Sequence, residues 1–208
     1  MGIQRRFWLG LGSNEGDPPA NLRDVLRRLR AEGIRVIRRS PVFRTEPVGN
    51  KDQPWFLNQA VEIRTVLGPS DLLRTAKKIE NAMGRRTGPR NGPRPIDLDI
   101  LFGEGPSLRT AALVIPHPRL AERRFALISL AAIAPKLVHP ELHKTIRQLL
   151  QECPDASRVE RLRVSASRRK DPGRGSPRAI EARLGRRTGP NRKREPNCLP
   201  AGPKSGRG

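Results

Sequence analysis

Apolar positions along the chain change their spacing several times, and each change predicts an element. Phe7-Trp-Leu-Gly-Leu11 is a short apolar run that predicts a buried strand. Gly12-Ser-Asn-Glu-Gly-Asp17 is a turn, and Asp17 before Pro18 has the form of a helix N-cap with proline at the first helical position. Leu22, Val25, Leu26 and Leu29 then recur at helical spacing, which predicts a helix to about Ala31. Ile34 to Arg44 reads as one strand, and Thr45 to Pro54 as a loop with two prolines. Phe56 to Val66 alternates as a long strand, with Leu57, Val61 and Ile63 on one face and Phe56, Asn58 and Ala60 on the other.

Pro69 to Met83 returns to helical spacing, and Gly84 fits the position just past a helix end. Residues 84–95 are rich in Gly, Pro and Arg and read as a loop, followed by a strand from Ile96 to Phe102. After Pro116-His-Pro118 the pattern predicts a helix to about Ile133, and a shorter one near Thr145–Glu152. Strands and helices alternate with connections of uneven length, so an α+β sandwich fits better than a doubly wound parallel sheet.

Charge divides the chain. Of its 208 residues 42 are Lys or Arg and 20 are Asp or Glu, a net charge of +22. Residues 157–208 hold 16 of the bases and 4 of the acids, and none of the seven aromatics. A segment that buries so little apolar surface cannot offset an ordering cost of roughly 1–2 kcal/mol per residue. We therefore expect a folded domain over 1–156 and a disordered basic tail over 157–208. The tail's charge suits nonspecific contact with nucleic acid through phosphate neutralisation, but it has no aromatics to stack on bases. Within it, residues 180–190 repeat residues 79–89 at 8 of 11 positions, without the acidic strand that follows the first copy.

No run approaches the roughly 20 apolar residues of a membrane span, and the N-terminus is a poor signal peptide. Cys153 and Cys198 make neither a disulfide framework nor a zinc site. The expectation is a cytoplasmic protein without membrane contact. It is expected to be a monomer, because no apolar helix face is left over for pairing.

The chemistry concentrates around one strand. In Ile96-Asp-Leu-Asp-Ile-Leu-Phe102, alternation sends Ile96, Leu98, Ile100 and Phe102 toward the core together. Asp97 and Asp99 then stand side by side on the other face, about 7 Å apart. Adjacent carboxylates repel unless a cation lies between them, and Mg²⁺ takes one or two carboxylates with phosphate oxygens. Arg85, Arg86, Arg90 and Arg94 precede the pair within ten residues. Guanidinium forks suit polyphosphate, although a solvated acidic face beside a basic loop reads the same way. Phe56 and Asn58 share a strand face that would suit a flat heterocycle, and equally a buried Phe beside a satisfied Asn.

Familiar nucleotide and metal fingerprints are missing. Gly10-Leu-Gly-Ser-Asn-Glu-Gly16 is one residue too long for the dinucleotide motif, no phosphate-binding P-loop occurs, and His139-Pro-Glu-Leu-His143 has Pro140 where a zinc protease needs Glu.

Taken together, several blocks resemble the pterin pyrophosphokinases of folate biosynthesis. They are Leu9-Gly-Leu-Gly-Ser-Asn14, Ser40-Pro-Val-Phe-Arg-Thr-Glu-Pro-Val-Gly49, Asp52-Gln-Pro-Trp-Phe-Leu-Asn58, Ile79-Glu80, Gly84-Arg85, Gly92-Pro-Arg-Pro-Ile-Asp-Leu-Asp-Ile-Leu101 and Ile115-Pro-His-Pro118. The resemblance runs from about residue 7 to 150. It implies a ferredoxin-like three-layer α/β/α domain, and transfer of pyrophosphate from ATP to 6-hydroxymethyl-7,8-dihydropterin with release of AMP. It also implies two Mg²⁺ ions held by Asp97 and Asp99, and phosphate contacts from Arg85 and Arg94. Glu80, Ile100, His117 and Arg123 match the ATP surroundings. Thr45, Val48, Phe56, Asn58 and Phe125 match the pterin site, the two Phe as a sandwich. Asp97 is the nearest candidate for the hydroxyl proton, though a metal-bound carboxylate is a weak base.

Two departures stand out: Asn91 where the family usually has Trp, and Pro118 where some members have an aromatic. A binding module whose basic tail contacts RNA is the alternative reading, and the tail is too short and polar for a fused second folate enzyme.

Overall fold

The computed structural model describes residues 3–86 and 92–162. Arg90, Asn91 and the repeat at 180–190 lie outside the described residues. Strand β1 spans Arg5–Ser13 and is followed by helix α1, Pro18–Ala31. Next come β2 at Arg35–Arg39, β3 at Phe43–Thr45 and β4 at Phe56–Thr65, then helix α2, Pro69–Ala82. Strand β5 spans Asp97–Gly103, and β6 (Leu108–Arg109) and β7 (Val114–Ile115) form a small ribbon. Helices α3, Arg124–Ala131, and α4, Ile146–Glu152, precede strand β8, Val159–Arg161. No helix among the described residues is long and apolar enough to cross a membrane.

The main sheet has strand order β5-β1-β4-β3-β8, with β2 also paired to β4, and every pairing is antiparallel. Alternation along β1 feeds two apolar clusters, one on each face. Phe7, Leu9 and Leu11 meet Leu22, Val25, Leu26 and Leu29 of α1 and Leu72, Ala76 and Ile79 of α2. Trp8 enters the opposite cluster with Ala126, Leu127 and Leu130 of α3 and Leu149 of α4. Mixed helices and antiparallel sheet make this an α+β domain.

The helix ends follow the sequence signals. Asp17 accepts a hydrogen bond from Ala20 N at 3.0 Å, with proline opening the helix. Gly84 takes φ +88 just past α2, a conformation that favours glycine.

Four expectations need correction. The strand expected over Ile34–Arg44 is two strands. Ser40 bonds sideways to Ala60 through both N and Oγ, and Pro41 has no N–H to continue the ladder. The helix expected after Pro118 starts later: a 3₁₀ turn at Leu120–Glu122 comes first. Phe102 does not share a face with Ile96, Leu98 and Ile100. The register slips where Leu9 faces Ile100 but Trp8 faces Phe102, so Leu101 is an extra residue. Leu101 and Phe102 consequently both enter the α3 cluster. Lastly, the expected boundary at 156 falls short of β8, whose three residues, Val-Glu-Arg, are too few to show a hydrophobic pattern. Residues 163–208 lie outside the described residues.

Candidate active site

Three strands bring the site together on the α3 face. Gly12 of β1 lies opposite Asn58 of β4 on one side and Asp97 of β5 on the other, and Gly10 lies opposite Asp99. A Cβ on Gly12 would fall 2.8 Å from Asn58 Oδ1, and one on Gly10 would fall 3.2 Å from the Leu101 side chain. The glycine spacing that fails as a dinucleotide motif thus has a different cause. It keeps the central strand bare between two functional side chains and makes the floor of a cleft.

That cleft is about 110 Å³ in volume. Phe56, Asn58, Thr45 and Val48 line one part, Asp97, Asp99 and Arg94 the floor, and Arg123 and Phe125 the α3 side. Asn58 is buried and donates from Nδ2 to Thr45 Oγ1 at 2.7 Å, which fixes the amide's direction. Each phenyl ring carries a guanidinium: Arg94 lies 5.5 Å from the Phe56 centroid, and Arg123 lies 5.8 Å from that of Phe125. Apolar ring faces therefore meet a charged strip along the floor.

In that strip the Asp pair is held by three arginines. Arg85 Nη1 donates to Asp97 Oδ1 at 2.6 Å and Arg94 Nη1 to Asp97 Oδ2 at 2.9 Å. Arg123 Nη1 reaches Asp99 Oδ2 at 3.3 Å. Burial pushes the Asp99 carboxyl above its ordinary range, and the Asp97 charge adds to this against the pull of His117 and Arg123. Burial also lowers the pKa of His117, which favours its neutral imidazole, and its Nδ1 accepts from Arg119 N at 3.1 Å.

Among the residues singled out from sequence, Glu80, Arg85, Arg86, Ile100 and His117 do not line the cleft. Glu80 is 1 % exposed. Its Oε1 accepts from Leu98 N at 2.8 Å and also from Arg85, and Oε2 accepts from Lys77 at 2.8 Å. It braces β5 and Arg85 from α2. Ile100 puts its side chain in the core. Because Leu98 N faces Glu80 rather than β1, the backbone of Ile100, two residues on, also faces away from β1. His117 N donates to Leu101 O at 2.9 Å, which closes the end of the same edge.

Sequence reasoning missed Asn14 and Glu46. Asn14 is buried and joins two loops. Its Nδ2 donates to Gln53 Oε1 and Pro54 O, both at 3.0 Å, while its Oδ1 accepts from Arg94 N at 2.9 Å. The signal lay in the Ser13-Asn14 pair at the end of β1, which resembled an ordinary turn. Glu46 lines the cleft from the loop after β3.

The site offers hard oxygen ligands, phosphate-seeking cations and an aromatic slot. Among the described residues no group of three or more His, Cys, Asp or Glu could hold a metal. Two carboxylates alone fit Mg²⁺, which relies on substrate phosphates for further ligands.

Comparison with known proteins agrees. A family model described as 7,8-dihydro-6-hydroxymethylpterin-pyrophosphokinase matches residues 8–135. A 2-amino-4-hydroxy-6-hydroxymethyldihydropteridine pyrophosphokinase from Methylorubrum extorquens is 47% identical over 158 residues, covering 76% of this chain and 98% of that protein. Its counterpart from Bacillus subtilis is 44% identical over 127 residues, covering 61% of this chain and 76% of that protein. The crystal structure of wild-type HPPK-DHPS from Plasmodium falciparum matches with a TM-score of 0.58 at 17% identity. That match covers 73% of this chain and 45% of the longer one, and speaks to the fold alone.

Proposed function

The chain belongs to the 7,8-dihydro-6-hydroxymethylpterin pyrophosphokinase family, and from that membership we infer how its cleft performs the family's reaction. It is an ATP-dependent enzyme of folate biosynthesis that transfers pyrophosphate to 6-hydroxymethyl-7,8-dihydropterin, giving AMP and the pterin diphosphate. The reaction employs a divalent cation. We assign two Mg²⁺ ions, with Asp97 and Asp99 as their protein ligands, and a ferredoxin-like three-layer arrangement to the domain.

The observation that carries the site assignment is the Asp pair held by three arginines on the floor of an aromatic-walled cleft. Pyrophosphoryl transfer is mainly positioning and charge neutralisation. Phe56 and Phe125 take the two faces of the pterin, while Asn58, Thr45 and the backbone at Val48 meet its polar edge. This aims the hydroxymethyl oxygen at the floor, where Asp97 and Asp99 lie.

Without nucleotide, Arg85 and Arg94 neutralise Asp97. With ATP bound they turn to phosphate oxygens and leave the carboxylates to the cation. Mg²⁺ held by Asp97 and Asp99 would supply neutralisation of the phosphate charge. Arg123 and His117 face the phosphates from the α3 side, the outward backbone of Ile100 meets the adenine, and Glu80 acts by holding Arg85 and β5 in place. The same proposal takes the protein as a cytoplasmic monomer and leaves only nonspecific nucleic-acid contact to its basic tail.

The test is product analysis. Purified chain, Mg²⁺, ATP and the pterin should give AMP and pterin diphosphate in equal amounts by mass spectrometry, and Asp97→Ala should give neither. Binding of RNA that weakens with salt, in a folded protein that forms no AMP, would support the binding-module reading instead.

A further inference from the structure

We propose that Asp155–Arg161 is a strap that positions both walls of the pterin cleft, acting through the Asp155 carboxylate and the backbone of Arg158. The proposal rests on the pyrophosphokinase reading of the cleft.

On one wall, Glu46 follows β3 and lines the cleft. Its N donates to Arg158 O at 3.0 Å, and its Oε2 accepts from Arg158 N at 3.3 Å. Strand β8 continues this contact by pairing Val159 with Thr45. The Trp55 ring has the Arg44 guanidinium 4.8 Å and that of Arg158 5.6 Å from its centroid.

On the other wall, α3 begins at Arg124, between Arg123 and Phe125 of the cleft. The residue that precedes the helix, Arg123, provides no side-chain cap. Asp155 provides it from 31 residues away, accepting from Arg124 N at 3.1 Å. Asp155 is itself oriented by Ser157, whose N donates to it at 2.9 Å and whose hydroxyl also donates. Arg158 lies only three positions after Asp155, and three residues reach at most about 11 Å. The strap therefore sets the distance between the two walls, while Asp155 lines none of the cleft. It is a positioning residue.

Steady-state kinetics on the full chain test this. Arg158→Pro removes the N–H that reaches Glu46 and keeps the C=O, while Arg158→Ala keeps both and removes only the guanidinium. Asp155→Ala removes the cap, and Asp155→Asn retains an acceptor for Arg124 N. Hydrogen bonds to charged groups are among the stronger ones. We expect Arg158→Pro and Asp155→Ala to raise KM for the pterin about fivefold or more. In Arg158→Pro, whose lost contact lies on the Glu46 wall, KM for ATP should stay within about twofold. Arg158→Ala should stay near the unaltered protein, and Asp155→Asn, whose one amide oxygen serves Arg124 N at the expense of Ser157 N, should raise KM less than Asp155→Ala.

An unchanged pterin KM in folded Arg158→Pro would overturn the strap. So would equal rises for both substrates, which mean general loosening. Arg158→Pro decides the matter if Asp155→Ala does not fold. Absence of AMP from the unaltered chain is a separate outcome, seen before any variant is made, and sinks the functional reading itself.

Discussion

Asn14 and Arg94, eighty residues apart, hold each other twice: Arg94 N donates to Asn14 Oδ1 at 2.9 Å, and Asn14 N donates to Arg94 O at 3.2 Å. The end of β1 thereby sets where the arginine loop re-enters the sheet, and the Asn14 amide also grips the loop before β4. Asn14→Ala should cost about 2 kcal/mol, since it leaves buried partners unpaired. Turnover should fall as well, because Arg94 loses its anchor. Denaturant melts together with AMP release check both halves.

Gly12→Ala sets a Cβ against Asn58 Oδ1. The amide must rotate or shift, and it takes its bond to Thr45 with it. We expect KM for the pterin to rise about tenfold, equivalent to about 1.4 kcal/mol. The melting temperature should change little, because the clash falls on one side chain at the cleft floor. An unchanged KM in initial-rate kinetics would show that Asn58 does not read the substrate.

Asp97→Asn and Asp99→Asn should each lower AMP formation by at least about a hundredfold, the usual scale for losing one electrostatic element of a transition state. Titrating Mg²⁺ should restore less activity to either variant than to the unaltered chain. Full activity at high Mg²⁺ would argue against the assignment of the carboxylates.

Removing Glu80 tests the brace behind β5. Its burial against Leu98 N predicts that Glu80→Ala destabilises the fold by about 2 kcal/mol, with that buried N–H left without its acceptor. Urea unfolding measures this directly.

Asp155 gives the fold a pH dependence. Burial works to raise its pKa, but hydrogen bonds from Ser157 and Arg124 N–H win, so the folded value lies below the ordinary 3.8. The unfolded chain then takes up the proton first as acid is added. The Asp155 contribution is complete above about pH 4–5 and disappears as the pH falls through the folded pKa. In melts from pH 6 to pH 2.5, Asp155→Asn should show a shallower acid loss than the unaltered protein. Parallel curves would remove Asp155 from the account.

Much of this arrangement is legible in the chain. The alternation of Phe56–Val66 already separates the Val61–Ile63 core face from the Phe56–Asn58 cleft face, because strand geometry admits two directions only. Asp97 and Asp99 stand together for the same reason. Phe102 defeats that logic, since the extra residue at Leu101 depends on pairing with β1 and not on local pattern. Glu80 was legible as a site residue but not as a brace, since its partners Leu98 and Arg85 are fixed only once α2 lies along β5. The strap was hidden because its bonds run through backbone and a distant carboxylate, neither of which leaves a hydrophobic trace.

Strand β5 ends the sheet, and sheet ends invite pairing with foreign chains. Here Leu98 N is taken by Glu80 and Leu101 O by His117 N, so a stranger's strand finds the row of docking groups blocked at both flanks. What stays open between them is the short stretch around Ile100. A gap of that length, which we assign to the nucleotide, is too short to template self-association.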